Sequence, residues 1–152
     1  MKCVTYLALT VMVTQVVNCC AGCRQRGPHP PRLYCDTNLS TLGTGIAIYK
    51  AEHHDQYPPD LNAIVQAGTS AQVLRCPDAK SNRTCDYFFL PPAANAPGTA
   101  LIVCDLAGNH PDGRNCLRAW CSVDCLTTEQ FQAELAKPEN AAFAAGLKAA
   151  GG

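Results

Sequence analysis

The residues with most chemistry to offer are eleven cysteines: Cys3, Cys19, Cys20, Cys23, Cys35, Cys76, Cys85, Cys104, Cys116, Cys121 and Cys125. Thiols at that density serve as disulfides in an oxidising compartment or as metal ligands. The metal patterns are incomplete. Cys20-x-x-Cys23 lacks a second pair or a histidine at ligand spacing. Cys116, Cys121 and Cys125, with His110 upstream, give C-x4-C-x3-C rather than the paired knuckles of a structural zinc centre. Asp105, Asn109 and Asp112 offer oxygen atoms to calcium, without the alternating register of a strong calcium loop. His53-His54-Asp55 falls where a helix would end, and a helix C-terminus favours such a pair without any acid–base role. No nucleophile elbow, phosphate loop or metalloprotease motif occurs. The expectation is a non-catalytic protein with no cofactor, calcium being the one ion the reading leaves open.

Composition narrows the class further. Twelve basic residues balance twelve acidic ones in 152, and no charged run occurs, so nucleic acid is not an expected partner. Met1-Lys2 followed by Tyr6 to Val17, apolar but interrupted by Thr10, Thr14 and Gln15, fits the h-region of an export signal better than a membrane span. Ala21-Gly22-Cys23 resembles a bacterial lipoprotein signal, with Cys20 where that pattern usually has leucine. The resemblance implies lipidation of Cys23 and a protein anchored to the membrane, periplasmic or at the cell surface. Ordinary cleavage near Ala21 or Gly22 is the alternative.

The elements that must position the remaining cysteines can be read in order. Arg24 to Arg32 is a proline-rich tether. Leu39, Leu42, Ile46, Tyr49 and His53 recur at helical steps, with Asp36 as cap and Pro58-Pro59 as stop. Gly43 and Gly45 oppose that helix by about 1 kcal/mol each. Asp60 caps a short helix, Leu61 to Ala67, stopped by Gly68. Thr69 to Arg75 has some strand character, and Cys85–Leu90 and Thr99–Asp105 read as strands. Asn115–Ala119 and Ser122–Leu126 form a hairpin around Trp120-Cys121, and a two-residue turn there sets Cys116 opposite Cys125. Thr127 and Gln130 make a capping box for a helix to Lys137, and Pro138 opens another through Ala149, with Phe131, Leu135, Phe143 and Leu147 as contacts. The divisions are 1–22 signal segment, 23–34 tether, 35–127 head and 128–152 helical tail.

CDTNLSTLGTGIAIYKAEHHDQYPPDL, followed by Cys76-Pro77 and the loop GNHPDGRN, resembles the globular head of prepilin-type proteins of planctomycete-like bacteria. These are related to the major pseudopilin of type II secretion and are marked by a histidine, nine residues, then Asp-Gly. His110 and the nine residues Pro111 to Ala119 match, but Trp120-Cys121 stands in place of Asp-Gly, and Ser122 in place of a histidine. The resemblance covers Cys35 to Gly152. It implies an α+β fold, with a long N-terminal helix packed on a small antiparallel sheet as a pseudopilin-like head, ahead of the C-terminal helical tail. It also implies a scaffold or interaction module for envelope or secretion proteins. The tether and the lack of a GFTLIE-like processing site favour a tethered head over a filament subunit. One pairing scheme joins Cys35–Cys76, Cys85–Cys104 and Cys116–Cys125, leaving Cys121 free, although connectivity does not follow from sequence alone. Trp120 at the hairpin tip is a candidate partner contact. The rival reading is an envelope thiol or metal-binding protein using Cys116, Cys121 and Cys125.

Overall fold

The computed structural model describes residues 31–152; the signal segment, Cys20-x-x-Cys23, lipidation at Cys23 and most of the tether lie outside the described residues. Helix α1 spans Pro31–Glu52. Proline costs little at a first helical position, because its missing N–H would be unpaired there anyway. The helix therefore starts upstream of Cys35, and Asp36 lies inside it instead of capping it. Leu39, Leu42 and Ile46 form the expected stripe and are buried. The two glycines that oppose helix formation are explained by close approach. A Cβ on Gly43 would sit 3.0 Å from Leu117 Cδ1, and one on Gly45 would sit 3.0 Å from Thr69 Oγ1. His53 is not part of the stripe: it is exposed and stacks on Tyr49 at 3.8 Å. The chain then turns through the positive φ values of His54 and Asp55, and the Asp55 N–H donates to Lys50 O at 2.8 Å.

Helix α2, Leu61–Gln66, is capped as expected by Asp60, which accepts from the Ala63 N–H at 3.0 Å. The following segment is a 3₁₀ turn, Ala71–Leu74, capped by Ser70, so its strand character is not realised. Strands β1 (Tyr87–Phe89), β2 (Leu101–Asp105), β3 (Gly113–Arg118) and β4 (Val123–Thr127) form one antiparallel sheet in that order. Helix α3, Thr128–Leu135, follows β4 directly, with both halves of the Thr127/Gln130 capping box formed. A 3₁₀ turn, Pro138–Asn140, leads into α4, Ala141–Ala149.

This corrects the expected architecture. A pseudopilin-like plan, with one long helix on the sheet and a helical tail beyond the head, is replaced, among the described residues, by a four-stranded antiparallel sheet with four helices and apolar clusters on both its faces. The reason lies in the alternation of the strands. Leu117 and Tyr87 join Leu39, Leu42 and Ile46 of α1, whereas Phe88, Cys104 and Cys116 pack with Phe131, Phe143 and Leu147 of α3 and α4. Phe88 thus faces away from α1. The last helix closes a second core, and Leu147→Ala is expected to cost about 2–3 kcal/mol, as for other buried leucines. Urea denaturation checks this, and no change would show that α4 contributes nothing to stability.

The hairpin is also out of the expected register. The Cys121 N–H donates to Arg118 O and the Arg118 N–H to Ser122 O, with Cys121 at φ 69°. Ala119, Trp120 and Cys121 thus make a three-residue loop with its last member left-handed, a common hairpin form. The extra residue moves the pairing by one position: Asn115 faces Cys125 and Cys116 faces Asp124. A shift of one residue inverts which side chains share a face.

Candidate functional site

Four buried side chains from four separate segments meet beside the start of α1. Cys35 comes from α1 and Cys76 from the chain after the first 3₁₀ turn; Asp105 ends β2 and His110 lies in the loop before β3. Their exposures are 0%, 3%, 0% and 7%. Cys35 Sγ lies 2.6 Å from Cys76 Sγ, Cys76 Sγ lies 3.6 Å from His110 Nε2, and His110 Nε2 lies 3.3 Å from Asp105 Oδ2. One ligand atom from each of the four falls within 4.8 Å of every other.

Neighbouring groups fix this arrangement. His110 Nδ1 meets Asp78 Oδ2 at 3.3 Å, and Asn115 Nδ2 approaches Nε2 at 3.4 Å. The Asn115 N–H donates to Asp105 Oδ2 at 2.8 Å, and the Tyr87 hydroxyl donates to Cys35 Sγ at 3.5 Å. Cys76 is held through its backbone, whose N–H donates to Asp86 Oδ2 at 3.0 Å. The two thiols are driven apart in acidity. The hydrogen bond to Cys76, then burial, push Cys35 far up. The same bond, opposed by burial and aided by backbone N–H groups of Asp78 and Ala79, draws Cys76 below the ordinary thiol value.

Of the cysteine pairs expected, Cys35 and Cys76 meet. Cys85 and Cys104 do not: Cys85 packs towards the α1 core and Cys104 lies in the opposite one. Cys104 instead faces Cys116 across β2 and β3, both fully buried. Burial pushes the Cys104 thiol up to about 12 and Cys116 well above its usual value. Cys116 and Cys125 are separated by the shifted register, and Cys121 points back to Gly43 O at 3.5 Å. Cys116, Cys121 and Cys125 therefore do not converge as the rival reading requires. The calcium trio is dispersed too, since Asp105 turns inward to His110 while the Asn109 amide donates to Asp86 O at 2.8 Å.

Trp120 is at the hairpin tip and 62% exposed, with Nε1 donating to Ser122 Oγ at 2.6 Å. It borders a groove of about 670 Å³ shared with Tyr57, Pro59 and Pro92. No described helix is long and apolar enough to cross a membrane. No protein-family model matches the chain, and no curated protein and no solved structure resembles it significantly.

Proposed function

We propose that this chain is an exported, lipid-anchored, non-catalytic envelope protein, akin to prepilin-type proteins, serving as a scaffold or interaction module in secretion or surface assembly. The observation that carries this reading is the sulfur pair: Cys35 and Cys76, 41 positions apart, meet in a buried setting suited to a cross-link outside the cytosol. Closing a loop of that size contributes about 4 kcal/mol by chain entropy. The exposed Trp120 beside its proline-lined groove supplies a surface for a partner protein.

Intact mass of the full chain expressed in a bacterium, after fractionation, tests the proposal. The expected product begins at Cys23, carries a diacylglyceryl group and sediments with membranes. An unprocessed chain in the cytosolic fraction would overturn it.

A further inference from the structure

We propose that Cys35, Cys76, Asp105 and His110, with both cysteines as thiols, bind one zinc ion. The proposal concerns the reduced form of the pair on which the export reading rests: the convergence of the four side chains is the same in either case, but a Cys35–Cys76 cross-link excludes the ion.

His110 gives the first reason. Its two ring nitrogens each face a carboxylate, Asp78 at Nδ1 and Asp105 at Nε2, both at 3.3 Å. A neutral imidazole has one N–H, so one nitrogen lone pair would point at a carboxylate. The conflict ends if the ring carries both protons or if a cation lies at one nitrogen. With the proton on Nδ1, towards Asp78, the Nε2 lone pair is left to Asn115 Nδ2, 3.4 Å away, or to a cation in its place. A carboxylate behind a histidine, orienting its other nitrogen, is the usual outer partner of a zinc-bound imidazole.

Distances give the second reason. Tetrahedral zinc with ordinary bond lengths requires about 3.4 Å between nitrogen and oxygen, about 3.6 Å between sulfur and nitrogen and about 3.8 Å between two sulfurs. The first two match the 3.3 Å and 3.6 Å observed. The sulfurs, at 2.6 Å, must part by about 1.2 Å. Two thiolates, a carboxylate and an imidazole form a donor set that favours zinc over calcium or magnesium. Binding converts two S–H groups to zinc thiolates and releases two protons to solvent. The Cys35–Cys76 disulfide is the exclusive alternative. A small-molecule disulfide forms it by exchange, taking two electrons and leaving as two thiols.

The test uses the full chain with Cys3, Cys19, Cys20 and Cys23 replaced by serine, reduced with a phosphine, and titrated with cobalt(II) as a coloured probe and then with zinc. The expected result is one cobalt per chain with thiolate-to-metal charge-transfer and intense tetrahedral d–d bands, displaced by zinc. The disulfide-oxidised protein should give neither. Cys35→Ser with Cys76→Ser should abolish the bands. Asp78→Asn, on a side chain 30% exposed and so not needed for the core, should weaken zinc binding by about 10- to 100-fold. Cys121→Ser with Cys125→Ser should change nothing. Folded, reduced protein without charge-transfer bands would overturn the proposal, as would bands that persist without Cys35 and Cys76 or vanish with Cys121 and Cys125.

Discussion

Gly113→Ala is expected to cost about 4 kcal/mol or more, enough to unfold most small domains near physiological temperature. Gly113 opens β3 at φ +154°, opposite Thr127. A Cβ there would lie 2.0 Å from Leu126 O and 2.9 Å from Thr127 Cα. Both are backbone atoms, so no side-chain rotation relieves the overlap. β4 would have to move, and Thr127 carries the capping box of α3. Gly108→Ala is the comparison: φ is +86° but nothing lies within 4 Å of the added carbon. It should cost only the backbone strain, about 1 kcal/mol. If urea denaturation ranks the two variants equally, close approach of β3 and β4 is not what this glycine provides.

Asp86→Ala is expected to cost about 3–4 kcal/mol at pH 7. Its side chain is fully buried and accepts from Arg75 Nε at 2.9 Å, from the Cys76 N–H at 3.0 Å and from the Ser81 hydroxyl. Burial opposes the ionised carboxylate, but the bonds from Ser81, Arg75 and the Cys76 N–H outweigh it and hold the pKa of Asp86 below the ordinary carboxylate value. A carboxyl whose pKa is lowered by folding stabilises the folded state above the unfolded value, near pH 4, and loses that contribution as pH falls through the folded value. Asp86→Asn keeps one acceptor oxygen and should cost about half as much. The gap between wild type and Asp86→Asn should then shrink between pH 7 and pH 3. A gap that stays constant would mean that the charge of Asp86 adds nothing.

Local signals were the legible part of this chain. The Leu39, Leu42 and Ile46 stripe, the Asp60 cap and the Thr127/Gln130 box each depend on residues within a few positions, where side chain and backbone settle their own geometry. The hairpin register differs from the expected one because Cys121 adopts a left-handed conformation, for which cysteine gives no sequence cue. The last two helices read as a tail because Phe131, Phe143 and Leu147 do not state which surface they cover. The apolar alternate positions of β2 and β3 were the available hint that a second face needed covering. The buried cluster was visible only in pieces. The sequence suggests Cys35 with Cys76 as a disulfide, but offers Asp105 and His110 only within incomplete calcium and zinc patterns. Its members come from four segments, and such convergence depends on the whole tertiary arrangement rather than on spacing.

The placement of Cys35 near the beginning of α1 has a mechanical consequence. Tension applied through the chain preceding Pro31 would enter the folded body within five residues of that sulfur. With Cys35 joined to Cys76, by a covalent bridge or through a shared ion, most of the pull would pass into the segment entering the sheet. The rest of α1 would be shielded from it, so the body would resist peeling from that end.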